Sequence, residues 1–95
     1  MNNVEVEYQE LEEVVLINDI AFGTRVILFN DEIHSFDEVA NQIIKAIGCN
    51  HDKAMQLTNE VHNCGKAVIY EGELKECLRV SGVLEEIALL TQIEC

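Results

Sequence analysis

The triplet Asn30-Asp31-Glu32 sets a carboxamide beside two carboxylates at the end of an apolar run. A primary ammonium carries three hydrogens arranged as a tripod, so a site for it needs several acceptors converging from one side, at least one of them anionic. Asn30 and Asp31 can supply part of that set. The same residues also favour an Asx turn ahead of a helix, and the triplet alone leaves both readings open. His62 is a second candidate, because it follows Thr58 and Val61 at spacings that share a helix face, where its imidazole could add a polar contact. The plain alternative is a histidine that meets the last carbonyls of its own helix.

Two further pairings carry less. Cys49-x-His51 and His62-x-Cys64 resemble two halves of a zinc site. A continuous helix from 51 to 62 would hold them about 16 Å apart at about 1.5 Å per residue, too far for one ion to gather. No intramolecular metal is expected. Cys64 and His62 form the one thiol and base pair worth testing for nucleophilic catalysis, but residues two apart on a helix point about 200° away from each other. With no nucleophile elbow and no phosphate-binding loop, the chain reads as a non-enzyme without cofactor.

Positioning these residues requires elements on both sides of the triplet. Arg25-Val26-Ile27-Leu28-Phe29 is β-branched and aromatic and of strand length. Ser35 with Glu38 matches a capping box. Phe36, Val39, Ala40, Ile43, Ile44 and Ile47 then repeat with helical period before Gly48. Asn50 can cap a second helix, with Ala54, Leu57, Thr58, Val61 and His62 on one face and Gly65 at its end. Lys66-Ala67-Val68-Ile69-Tyr70 reads as a strand and Gly72 as the turn out of it. A third helix is expected over residues 73–86, its stripe made by Leu74, Cys77, Leu78 and Leu84, with Gly82 softening its end. Residues 87–93 are expected to close the chain as a strand. The order β-α-α-β-α-β predicts an α+β domain over residues 23–95, with three helices packed on a small, mostly antiparallel three-stranded sheet.

Residues 1–22 differ in character. Met1 to Asp19 holds six acidic residues and no Lys or Arg, with Val4, Val6 and Tyr8 alternating against polar neighbours. Either an acidic mobile arm or an extra strand fits this pattern.

The whole chain of 95 residues carries a net charge of -12. Phosphate backbones and anionic headgroups are repelled by such a field, whereas cationic groups are drawn to it, so neither nucleic acid nor membrane is an expected partner. Nothing resembles a secretory signal or a membrane span, and the four cysteines are scattered without a CxxC. A cytoplasmic protein with reduced thiols is expected.

Two motifs at a fixed separation carry a family resemblance. Val26-Ile27-Leu28-Phe29-Asn30-Asp31-Glu32 and Val61-His62-Asn63-Cys64-Gly65-Lys66-Ala67-Val68, joined by the helix from Phe36, resemble the Clp protease adaptor family, ClpS, over about residues 25–93. The resemblance implies an adaptor that grips the free first residue of N-degron substrates and delivers them to a Clp ATPase–protease. It would do so by docking on the N-terminal domain of a ClpA- or ClpC-type ATPase. Carried over by position, Asn30, Asp31 and His62 would hold the substrate's α-ammonium, with Glu32 beside them. Ile33, Phe36, Thr58, Val61 and Leu89 would line the side-chain pocket. The chain departs from the family pattern in several places. Glu32 stands for a second aspartate, Phe36 and Thr58 stand where methionine is common, and the third helix is shorter and lacks the family's Glu-Thr-Lys run. These departures imply a changed substrate preference, or a divergent interaction domain in which N-degron binding is altered or lost.

Overall fold

A computed structural model describes residues 23–95; the expectation of an arm or extra strand over residues 1–22 lies outside the described residues. The described chain folds as β1 (Thr24–Phe29), α1 (Phe36–Ile47), α2 (His51–Cys64), β2 (Lys66–Gly72), α3 (Leu74–Glu85) and β3 (Thr91–Glu94). These are the expected three helices and three strands in the expected order. The strands form one sheet in the order β2-β1-β3, with both pairs antiparallel.

Local chemistry explains where the first two helices begin and end. Ser35 accepts from the Glu38 N–H at 3.1 Å while Glu38 Oε1 accepts from the Ser35 N–H at 2.8 Å, which closes the capping box and satisfies two otherwise orphaned donors. Gly48 ends α1 at φ 70° and returns its N–H to Ile44 O. Asn50 Oδ1 accepts from the Lys53 N–H at 2.8 Å to start α2, and Gly65 ends it at φ 87°. Both glycines sit in the left-handed region that a Cβ disfavours.

The core lies between one face of the sheet and the three helices. Val26 and Leu28 of β1, Ile43 of α1, Leu57 and Val61 of α2, and Val80 and Leu84 of α3 meet there. Each is at most 5% exposed, and burying a side chain of this size contributes about 1.5–3 kcal/mol. The β1–β2 register slips between Val26 and Ile27, where Val26 faces Tyr70 and Ile27 faces Val68, so Ile69 has no direct partner. This bulge still lets both Ala67 and Ile69 reach the core.

Three expectations are corrected. In α3 the inward residues are Cys77, Val80, Ser81 and Leu84, and Leu78 is 56% exposed. Ser81 can turn inward because its hydroxyl pairs with Thr91 Oγ1 at 2.7 Å. On α1, Gln42 is buried although it was absent from the apolar stripe, because its Nε2 donates to Val83 O at 2.6 Å. The last strand begins at Thr91 rather than at residue 87. Residues between Glu85 and Thr91 form a turn in which Ala88 takes φ 66°, a conformation no strand contains.

Candidate functional site

β1 is the central strand, and its last residues are held from both sides. The Phe29 N–H donates to Leu90 O at 3.0 Å, and the Asn30 N–H donates to Gly65 O at 2.9 Å. These two bonds bring the end of α2 and the entry to β3 to the loop that begins at Asn30. Three segments distant in sequence therefore meet at one end of the sheet.

Within the loop, Asp31 makes the Asx turn that its position allowed. Oδ1 accepts from the backbone N–H groups of Ile33 and His34, each at 3.0 Å. Oδ2 lies 2.7 Å from His34 Nδ1. The other ring nitrogen of His34, Nε2, lies 2.6 Å from the carbonyl oxygen of Ile87 in the turn before β3. Partial burial pushes the Asp31 carboxyl upward, but the hydrogen bonds from His34 and Ile33 and the charge of His34 outweigh it, leaving the group below its usual value. The Asp31 hydrogen bond in turn raises His34 above the usual imidazole value, against the opposing effect of burial. Asp31 and His34 thus each favour the charged form of the other.

A cavity of about 200 Å³ opens beside this loop. Asn30, Asp31, Glu32, His34 and His62 contribute polar groups to its lining, and Phe36, Val39, Thr58, Val61 and Leu89 are among its less polar walls. Thr58 presents little polarity, because its hydroxyl donates to Ala54 O at 2.8 Å and its remaining branch is a methyl group. The rings of Phe36 and His62 meet edge to face with centroids 5.2 Å apart, so α1 and α2 close the cavity together at this point. Leu89 is 3% exposed.

The structure brings together Asn30, Asp31, Glu32, Phe36, Thr58, Val61, His62 and Leu89 around one cavity. Ile33 lies outside the lining, with 83% of its surface exposed, while its neighbours Glu32 and His34 face the cavity. His34 went unread in the sequence. The Asp31-x-x-His34 spacing was its one available signal, since its second partner, Ile87, lies 53 residues away.

Among the described residues, no group of three or more His, Cys, Asp or Glu side chains converges as a metal site would require. Cys49 and His51 lie at the start of α2 and His62 and Cys64 at its end. All four cysteines are free. No helix among the described residues is long and apolar enough to cross a membrane.

A family model described as "ATP-dependent Clp protease adaptor protein ClpS" matches residues 23–90. The ClpS adapter protein of Nostoc sp. is 41% identical over 49 residues, which is 50% of this chain and 50% of that protein. The ClpS adapter of Synechocystis sp. is 39% identical over 49 residues, with the same shares covered. E3 ubiquitin-protein ligase UBR1 of Drosophila melanogaster is 30% identical over 64 residues, covering 67% of this chain but 4% of the ligase. The chain thus spans about half the length of the curated adaptors it matches and a small part of the ligase. Among solved structures, Agrobacterium tumefaciens ClpS2 bound to L-phenylalaninamide superposes with a TM-score of 0.72 at 16% identity, covering 78% of this chain and 96% of that one. That likeness shows a shared fold.

Proposed function

Because the chain belongs to the family of ATP-dependent Clp protease adaptor proteins, ClpS, we propose that it grips the free first residue of N-degron substrates and delivers them to a Clp ATPase–protease in the cytoplasm. In this reading it is an adaptor and not an enzyme, and its second partner is the N-terminal domain of a ClpA- or ClpC-type ATPase.

One observation carries the reading: a cavity large enough for one side chain is lined both by apolar residues such as Val39, Val61 and Leu89 and by the polar residues Asn30, Asp31, Glu32 and His62. Aliphatic cavities of about 150 Å³ accept benzene, so about 200 Å³ suits a benzyl or isobutyl group. The Agrobacterium structural neighbour was solved with L-phenylalaninamide, a ligand that joins a free amine to a benzyl group. At the rim, Asn30, Asp31, Glu32 and His62 supply the polar contacts for the ammonium. Asp31 is engaged by His34, so Glu32 adds a second carboxylate to the rim that favours a cation over a neutral amide.

Acetylating the peptide amine removes the charge and leaves desolvated acceptors unpaired, at a cost of about 1–3 kcal/mol or more. Fluorescence anisotropy with peptides that differ only in residue one, each with an acetylated control, tests this. Free-amine peptides that begin with Leu, Phe, Tyr or Trp should bind, and acetylation should weaken them by about tenfold or more. Unchanged affinity on acetylation, or in Asp31→Ala, sinks the proposal.

A second reading is an interaction domain that keeps the fold but has altered or lost the N-terminal grip. The contact between the Phe36 and His62 rings favours it, since that contact takes up part of the surface an ammonium would approach. Recovery of a Clp ATPase in a pull-down, with no binding of any free-amine peptide, would select this second reading.

A further inference from the structure

A histidine between two acceptors has few protonation states open to it. His34 Nδ1 lies 2.7 Å from Asp31 Oδ2 and Nε2 lies 2.6 Å from Ile87 O. Neutral imidazole has one N–H, so it would set a bare nitrogen lone pair against one of these oxygens; imidazolium donates to both. The ring is 11% exposed and the carboxylate 24%, so water can compete only in part. The charged groups that face the ring act in one direction: Asp31 on its own loop and Glu38 on α1 favour the cation, and the turn contributes the Ile87 carbonyl. His62 on α2 lines the same cavity. Glu86, next to Ile87, is held by Lys45 at 2.7 Å and Gln42 at 3.2 Å.

The Ile87 end of this bridge bears on the pocket. Ile87 precedes Ala88, whose φ of 66° is costly for any residue with a Cβ. Ala88 leads into Leu89, an apolar wall of the cavity. The turn is anchored downstream by the Phe29 N–H to Leu90 O bond and upstream by His34.

We propose that His34 is a positioning residue of this pocket: its two ring N–H groups tie the Asp31 loop to the strained turn before Leu89 and hold the apolar wall against the amine rim. The proposal rests on the N-terminal recognition described above and extends it to the choice of first side chain.

Deprotonation removes one ring N–H. The carboxylate is the stronger acceptor and keeps the proton that remains, which leaves the Nε2 lone pair facing the Ile87 carbonyl. The tether opens, and the strain at Ala88 favours release of the turn. Selectivity for an apolar first residue is therefore full while the ring is protonated and is lost as pH rises through the raised value of His34 in the folded protein. The peptide amine titrates too, near about 7.7–8.0, so absolute affinity mixes two effects. The ratio of affinities for two peptides that share the amine and differ only in the first side chain cancels that contribution.

The test has two arms, both on the full chain. Without peptide, NMR of ¹⁵N-labelled protein across the titration of the ring should find both His34 nitrogens protonated at low pH. The amide signals of Ile87 and Leu89 should follow the ring, and that response should vanish in His34→Gln. A single protonated ring nitrogen at low pH, or turn amides indifferent to the ring, overturns the proposal. With peptide, the Phe-first to Ala-first affinity ratio should fall by about fivefold to tenfold through the titration, as expected for losing one charge-assisted hydrogen bond. It should be low and independent of pH in His34→Gln. In Ala88→Gly, which relieves the strain and keeps His34, the ratio should depend less on pH. A ratio in the native protein that ignores pH, or one preserved in His34→Gln, overturns the proposal. If no free-amine peptide binds at all, N-terminal recognition itself has failed, and the first arm still decides whether His34 bridges loop and turn.

Discussion

The backbone N–H of Asn30 donates to the carbonyl oxygen of Gly65 at 2.9 Å, so the residue that opens the acceptor loop is fastened to the residue that closes α2. Gly65 holds φ 87° with open space where a Cβ would stand. Its replacement is therefore a question of backbone conformation and not of collision.

Gly65→Ala should cost about 1–2 kcal/mol of stability from the left-handed conformation alone, and it should also weaken peptide binding by shifting Asn30 relative to His62. Gly48 provides the control. It has φ 70° and equally open space, yet lies at the end of α1 away from the cavity lining. Gly48→Ala should lose similar stability in urea unfolding and keep its peptide affinity. Equal losses of affinity in both variants would refute the assigned link.

Thr58→Val should leave stability within about 1 kcal/mol, because the Ala54 carbonyl that accepts the hydroxyl also receives a helical backbone bond. The wall of the cavity becomes wholly apolar. Affinity for peptides with an apolar first residue should rise, measured by the same anisotropy titration, and a fall would mean that the hydroxyl serves the ligand.

The Asp31–His34 pair gives stability a window in pH. Asp31 is depressed below its ordinary 3.8, so its contribution is present above 3.8 and is lost as pH falls through the lower folded value. His34 is raised above 6.5, so its contribution is full below 6.5 and is lost as pH rises through the higher folded value. The stability difference between the native protein and His34→Gln should therefore peak near about pH 5 and shrink on both sides. Urea unfolding at several pH values measures it, and a difference that grows into the alkaline range would contradict the imidazolium.

Ile43→Ala should destabilise by about 2–5 kcal/mol, since the side chain is fully buried where α1 meets the core. For a domain of this size, that is a large part of a total of about 5–15 kcal/mol. A loss below about 1 kcal/mol in chemical denaturation would mean that the site is looser than its burial indicates.

Thiol chemistry should sort the cysteines by exposure. Cys77 is fully buried, donates to Thr24 O at 3.3 Å and has its thiol pushed upward chiefly by burial. Cys64 and Cys95 are exposed. Titration of the native protein with a thiol reagent should label Cys64 and Cys95 readily and reach Cys77 only on unfolding.

What could be read from the sequence follows the range of the interactions. Ser35 with Glu38, Asn50, Gly48 and Gly65 announce helix ends through contacts within a few residues, and all four act as expected. The inward face of α3 was misjudged because Leu78 is more apolar than Ser81, while the partner that makes Ser81 tolerable, Thr91, belongs to another element. The late start of β3 depends on Ala88 adopting a conformation that alanine rarely prefers. His34 was missed for the same reason, because half of its environment is a carbonyl oxygen from the far end of the chain. Apart from Ile33, the candidate residues named through the family resemblance meet around one cavity. The bonds from Asp31 to His34 and from His34 to Ile87 were not legible.

The cavity borrows its walls from the end of β1 and the loop after it, from α1, from α2 and from the turn into β3, stretches that closing a sheet around its first strand brings together. Contacts between such distant stretches carry the largest loop-closure cost and tend to form late. A chain still emerging from the ribosome would present Asn30 and Asp31 long before Leu89 exists to complete the enclosure. Enclosure of a ligand would then depend on these stretches having folded together, and the early acceptor loop by itself would offer only an open edge.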